Sequence, residues 1–235
     1  MDETRWERWG VASGFAAALF GAAATVFERG PLTATDPAPA VIDHLTTYRT
    51  PMLAQSMLFL AGAALYLWYL GSLRTFLARA EGSTGRLSTV AFGAGIVWVG
   101  INMVAQAFQI GLTANPRAEA PAALIGTMNA VFTIGALPLA VMMAAVAVVS
   151  LRYRAFPAWL GWLAAAAAGS QLLLWLGTVA FTGPLAPDGW LSYALYPVFL
   201  VWLIPATIIM IRRAGQQTGS KPAAAGQPQL AGQGR

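Results

Sequence analysis

The stretch at residues 87–110 reads LSTVAFGAGIVWVGINMVAQAFQI and contains no charged side chain. An α-helix rises 1.5 Å per residue, so these residues form about 36 Å of helix, enough to cross a bilayer core of ~30 Å. Five other stretches have the same apolar character. The sequence therefore predicts an all-α, polytopic membrane protein, a bundle of six transmembrane helices with spans at about 9–27, 52–73, 87–110, 124–151, 159–181 and 193–211.

The composition indicates a single membrane domain. Hydrophobic residues make up 57% of the chain and charged residues 10%, against roughly 25% charged in a soluble domain. We expect residues 1–8 to form a cytoplasmic segment, residues 9–213 the membrane domain, and residues 214–235 a disordered tail rich in Ala, Gly, Gln and Pro. Cysteine is absent, which excludes disulfides, thiolate nucleophiles and cysteine-held metal clusters.

The basic residues predict the orientation. If the amino terminus lies in the cytoplasm, eleven of the fourteen fall on that side, and only Arg29, Arg49 and Arg117 fall outside. This bias is typical of cytoplasmic loops, so we expect both termini in the cytoplasm. Although the net charge is +5, the basic residues sit in short clusters at the ends of apolar runs. They do not form the continuous basic surface that nucleic acid needs.

Small residues recur at intervals of four in two spans. Gly10 and Gly14 continue into Ala18 and Ala22 in the first span, and Ala165 separates two glycines in the fifth. Such ridges let neighbouring helices approach closely, within one chain, in a homo-oligomer or with a membrane-protein partner. We therefore predict helix-packing positions at Gly10, Gly14, Gly161 and Gly169. The first span has one alternative interpretation, a cleaved signal peptide ending near Ala22–Ala24.

The longest connection, residues 28–51, predicts a short helix. Asp36 is a suitable N-cap residue and Pro37 a suitable first helical residue. Val41, Leu45 and Tyr48 then share one face. Two placements are compatible with this pattern: a helix lying on the outer membrane surface, or a lid over the bundle.

Several amides and hydroxyls lie within the predicted spans. Asn102, Gln106 and Gln109 follow an i, i+4, i+7 spacing on one face of the third span. One interpretation is an outward-facing polar cavity that holds a small neutral or apolar ligand. The other is hydrogen bonding between helices, worth about 0.6 kcal/mol per bond. The candidate ligand-binding residues are Gln55, Asn102, Gln106, Gln109, Asn129, Thr133 and Gln171.

No catalytic or metal site is predicted. The chain has one histidine, His44, next to Asp43, and this pair is too small for a zinc site and lacks a nucleophile motif. No Asp, Glu, Lys, Arg or His lies within a predicted span, whereas proton relays and ion-coupled transport use such residues. We expect no catalytic residue and no cofactor; the alternative is an intramembrane enzyme that acts on lipid through the Asp43–His44 pair.

Two hairpins resemble a known family. The segments WYLGSLRTFLARAEGSTGRLSTVAFGAG (residues 68–95) and RAFPAWLGWLAAAAAGS (residues 154–170) are similar to a family of uncharacterised six-span bacterial membrane proteins. The family is common in actinobacteria and catalogued as a domain of unknown function. The resemblance covers roughly residues 5–213 and implies a six-span architecture in the bacterial plasma membrane. It supplies no site residues.

The sequence predicts a function only in outline. We expect an integral plasma-membrane protein that is in contact with the lipid bilayer and binds a partner or a lipid, in an envelope or regulatory role. The alternative is a facilitator or sensor for a small neutral or apolar molecule, using the outward-facing polar cavity.

Overall fold

The structure is a computed structural model, and all of its regular secondary structure within the described ranges is helical. The described residues are 3–30, 32–33, 35–82, 85–117, 119–180, 183–186, 189–195 and 197–219. The helices are α1 (Glu3–Val26), α2 (Ala38–Thr47), α3 (Arg49–Glu81), α4 (Arg86–Ala114), α5 (Pro121–Tyr153), α6 (Ala158–Leu176) with a 3-10 turn at Gly177–Val179, α7 (Trp190–Leu195) and α8 (Val198–Gly219).

Five of the helices are long and apolar enough to cross a membrane: α1 from Arg8, then α3, α4, α5, and α6 with its 3-10 turn. The prediction of a helical membrane bundle is confirmed to this extent. The 33-residue helices α3 and α5 are about 50 Å long, so each must tilt in a ~30 Å core or extend beyond it.

The long helices form a closed ring. Each of α3, α4, α5 and α6 packs against the long helix before it, and α8 packs against both α6 and α1. Helices joined by short connections run antiparallel, so the chain goes up and down around the ring. One end of the bundle, which we call the arginine end, carries Arg8, Arg74, Arg79, Arg86, Arg152, Arg154, Arg212 and Arg213. The opposite end is the α2 end.

Aromatic side chains fill the centre of the ring. Phe156, from the loop between α5 and α6, is buried against Phe76 of α3, with ring centroids 4.8 Å apart. It also contacts Trp202, which stacks on Phe199 of the same helix. Phe199 meets Trp98 of α4 edge to face at 5.3 Å. These rings connect α3, α4 and α8 and make the middle of the bundle a packed core.

The segment predicted as one span at 193–211 is divided into two helices. α7 ends at Leu195 and α8 begins at Val198, with Pro197 between them. Proline lacks the N–H that a helix interior needs and disfavours helical conformation in the residue before it. The carbonyl of Pro197 accepts the Val201 N–H, so a new helix starts there. α8 continues to Gly219, beyond the predicted start of the tail at 214, and residues 220–235 lie outside the described ranges.

The short helix α2 covers the bundle. Val41 and Leu45 are fully buried against Met52, Leu112 and Ile125, which belong to α3, α4 and α5. This is the lid placement. The predicted cap was wrong by one residue: Pro37 is the N-cap, and the Asp36 carboxylate accepts the Thr33 N–H instead at 2.7 Å.

The glycines of α1 and α6 differ in their packing. A Cβ added at Gly14 would lie 2.6 Å from Tyr69 Cδ2 and 2.9 Å from Thr207 Oγ1, and one at Gly10 would meet Ser72 Oγ. A Cβ at Gly161 would lie 2.9 Å from Leu151 Cδ2. These three glycines thus bring α1 onto α3 and α8, and α6 onto α5. A Cβ at Gly169 would meet nothing within 4 Å.

We predict that Gly14→Leu destabilises the bundle, because its side chain needs space that Tyr69 and Thr207 occupy. Overpacking of this kind costs about 1–3 kcal/mol. Gly21→Leu is the matched control on the same helix, since a Cβ there meets nothing within 4 Å. The melting temperature in detergent should fall for Gly14→Leu and stay near wild type for Gly21→Leu. Equal melting of the two variants would contradict the packing role of Gly14.

Candidate functional site

The polar residues predicted to form an outward-facing cavity are distributed over several helices. Gln109 on α4 is buried, and its Nε2 donates to the Met52 carbonyl (3.1 Å) and to Gln55 Oε1 (3.0 Å) on α3. Asn129 on α5 donates to the Leu32 carbonyl at 3.2 Å. These amides therefore connect α4 to α3, and α5 to the segment before α2.

Two of the remaining residues bond within their own helix. Asn102 Nδ2 donates to the Trp98 carbonyl at 2.8 Å, and Thr133 Oγ1 donates to the Asn129 carbonyl at 2.8 Å. Such bonds to the carbonyl four residues earlier satisfy a side chain where water is excluded. Each of these two side chains therefore has a hydrogen-bond partner within the protein and needs no ligand to supply one.

Gln106 and Gln171 are buried without such partners. Gln106 is 3% exposed and its Oε1 accepts no hydrogen bond, while Gln171 is 1% exposed with neither amide atom paired. On α3, the buried hydroxyl of Ser56 is also unpaired. The predicted cavity around the seven polar residues stays a prediction. None of the seven lines either of the two grooves described below.

His44 lies in α2, where its ring centroid is 4.8 Å from that of Tyr48. Its Nε2 is buried and unpaired. Burial lowers the pKa of His44 below its ordinary value of 6.5, and the nearby carboxylates of Asp36 and Asp43 offset part of that shift. Within the described part of the chain, no three His, Cys, Asp or Glu side chains are grouped so that they could hold a metal.

A groove lies at the arginine end, between α1, α3 and α8. We call it the arginine groove. It has a volume of about 530 Å³ and opens to the surface of the bundle. Its side chains include two guanidinium groups, two hydroxyls and several apolar groups. The lining residues are Gly10, Val11, Trp68, Gly71, Ser72, Thr75, Phe76, Arg79, Ala80, Ala155, Met210, Arg213 and Ala214.

Helical spacing on α3 builds one wall of the arginine groove. Ser72, Thr75 and Arg79 follow an i, i+3, i+7 spacing and so share one face. Thr75 Oγ1 donates to the Gly71 carbonyl at 3.1 Å, which leaves its lone pairs as acceptors. From the sequence alone, orientation accounts for Arg79, and contact with anionic headgroups or a cytoplasmic partner is the alternative interpretation.

The opposite wall comes from α8. Arg213 donates to the Ala155 carbonyl in the loop between α5 and α6 and lies over the Phe76 ring, 5.6 Å from its centroid. These contacts hold the guanidinium in one position. This wall has no signal in the sequence, because residues 58 positions apart meet there only after the ring has closed.

A second groove lies on the outside of α4 and α5 near the α2 end. It measures about 320 Å³ and its lining is apolar, formed by Val104, Ala107, Phe108, Gly111, Leu112 and Leu124. This surface has the character of a face in contact with acyl chains. The arginine groove is the one that combines charge, hydroxyls and apolar surface.

Comparison of the chain with family models, curated proteins and solved structures returns no match. The functional assignment therefore rests on the groove itself, on its shape, its charge and its position at the end of the bundle.

We predict that His44 titrates below pH 6.5, because burial disfavours the imidazolium form. It is the only histidine, so its imidazole gives a single NMR signal whose chemical shift can be followed with pH. Asp36→Asn should lower the midpoint further, because that carboxylate favours the charged form. A wild-type midpoint at or above 6.5 would contradict the burial of this side chain.

Proposed function

We propose that this protein is a six-span integral membrane protein of the bacterial plasma membrane that binds lipid and catalyses no reaction. The five long apolar helices support the membrane location. The apolar part of α8, Val198–Ile211, is only about 21 Å long, and α7 adds the remaining length for a sixth crossing. The resemblance of the two hairpins to actinobacterial six-span proteins supports the bacterial plasma membrane.

The charge distribution supports an orientation with the arginine end in the cytoplasm. The arginines named above for the arginine end lie together there, whereas Arg29, Arg49 and Arg117 lie at the other end. Basic residues are retained on the cytoplasmic side during insertion. With six crossings, the chain then begins and ends its bundle on the cytoplasmic side, and α2 covers the outer end.

The arginine groove is the observation that carries the lipid-binding proposal. It lies where transmembrane helices end, which is the depth of lipid headgroups, and its volume is in the range of small-molecule sites. Trp68 at its edge is 61% exposed, as expected for an aromatic residue in the interfacial belt. The partly buried ring of Phe76 adds apolar surface that suits the start of an acyl chain.

The packed aromatic core supports binding at the surface in preference to passage through the bundle. Trp202 is fully buried in the middle of the ring, in contact with Phe156 and Phe199. A ligand in the arginine groove remains at the side of this core, in contact with the membrane. The proposal is therefore a lipid-binding role, regulatory or architectural, at the cytoplasmic leaflet.

We predict that Gly71→Trp releases bound lipid, because the indole would fill the arginine groove. A Cβ at Gly71 meets nothing within 4 Å, so the helix can accept the side chain. Gly93→Trp is the matched control, since Gly93 is equally open but lies on α4 outside the groove. Native mass spectrometry of gently solubilised protein should show lipid on wild type and on Gly93→Trp. Gly71→Trp should retain lipid about tenfold more weakly, which corresponds to a loss of ~1.4 kcal/mol of binding free energy.

Unchanged lipid retention by Gly71→Trp would contradict the assignment of the groove. Its melting temperature should stay near that of Gly93→Trp, which separates loss of the lipid from loss of the fold.

A further inference from the structure

We propose that the arginine groove selects lipids with an anionic headgroup and binds the headgroup phosphate between Arg79 and Arg213. This inference depends on the proposed function, that the groove holds a lipid, and adds which class of lipid it holds. The ligand class is an anionic glycerophospholipid of the cytoplasmic leaflet, and phosphatidylglycerol is the probe.

Arg213 is fixed in position before any ligand binds. One of its five N–H donors is used by the Ala155 carbonyl, and the guanidinium lies over the Phe76 ring. A guanidinium held in this way loses little conformational freedom when it binds a phosphate. The Arg213 guanidinium has four further N–H donors, and Arg213 lines the groove.

Arg79 supplies the second positive charge, from the α3 wall. It lies one helical turn beyond Thr75, so a headgroup beside Arg79 is also beside the Thr75 hydroxyl. Because that hydroxyl donates its hydrogen to the Gly71 carbonyl, it presents lone pairs. Lone pairs accept hydrogen bonds from the hydroxyl groups of a glycerol headgroup, which is why phosphatidylglycerol is the probe.

The charges of the described lining favour an anion. The described lining of the arginine groove has two arginines and no carboxylate. Glu81, the nearest carboxylate along α3, accepts the backbone N–H groups of Leu87 (2.8 Å) and Ser88 (2.9 Å) at the start of α4. Its charge is thus directed to the end of that helix. Each basic residue near a membrane surface favours anionic lipid by about fivefold.

The apolar lining favours a lipid over a free phosphate ion. Phe76, which is only partly buried, provides apolar surface that inorganic phosphate would leave uncovered. The exposed indole of Trp68 lies at the edge of the groove, where a glycerol backbone and the first acyl carbons would continue along the bundle. An ion alone uses the arginines and none of this surface.

The test compares lipid retention by native mass spectrometry. Full-length protein is delipidated in detergent and offered equal amounts of phosphatidylglycerol and phosphatidylcholine. Wild type should retain phosphatidylglycerol about tenfold more than phosphatidylcholine. In Arg79→Gln, the preference for phosphatidylglycerol over phosphatidylcholine should be about fivefold smaller than in wild type. Arg79→Lys should keep most of the preference. Arg152→Gln is the matched control, because Arg152 is at the same end but outside the groove.

Arg213→Gln should also reduce the preference, but Arg213 contacts Ala155 and Phe76 and its loss can unfold the end of α8. The Arg79 variants therefore decide the question. Equal retention of both lipids by wild type, with both released by Gly71→Trp, would overturn the charge selection and leave the lipid-binding proposal standing. Displacement of phosphatidylglycerol by millimolar inorganic phosphate would also overturn the proposed lipid selection, because the groove would then be a site for the free ion. Wild type without any retained lipid would contradict the proposed function itself.

Discussion

The lack of hydrogen-bond partners in a lipid interior is the constraint on which this structure depends. A backbone N–H or carbonyl there must be satisfied by the protein, which is why only helices and closed barrels cross a bilayer. The side chains follow the same rule. Ser150 and Thr207 donate to the carbonyls of Val146 and Leu203 in their own helices. Gln109 is satisfied by the neighbouring helix α3. These polar groups are therefore satisfied within the protein, and Gln109 also connects two helices.

Close helix packing follows from the small residues of α1. Because Gly10 and Gly14 have no side chain, α1 can lie directly against α3 and α8, and this contact closes the ring. The arginine groove lies beside this contact at the arginine end, where Gly71 exposes backbone in place of a side chain. The face of α1 that packs against the bundle thus also borders the groove.

The parts of the fold that depend on local sequence could be predicted. Long uncharged stretches identify the five apolar helices, and small-residue spacing identifies Gly14 and Gly161 as packing positions. The break before α8 was missed, although Pro197 was its signal. The spacing criterion also included Gly169, which faces open space, because spacing gives a helix face but not what lies opposite.

The candidate site was harder to predict, because it depends on contacts between distant parts of the chain. The amides attracted attention as unusual residues in apolar spans, yet Gln55, Asn102, Gln109 and Asn129 have partners within the protein. Arg213 and Phe76 come together only through ring closure. Charge at the end of a span indicates orientation first, and only the geometry separates arginines that line a groove from those that do not.

The crossing of the membrane by the α7–α8 segment is the most direct test of this account. The chain has no cysteine, so single cysteines can be introduced at Asp43 in α2, Arg86 in α4 and Ala214 in α8. A membrane-impermeant maleimide on intact cells should label Asp43→Cys only, and should label Arg86→Cys and Ala214→Cys after permeabilisation. Labelling of Ala214→Cys together with Asp43→Cys would show five crossings and contradict the closed six-helix arrangement in the membrane.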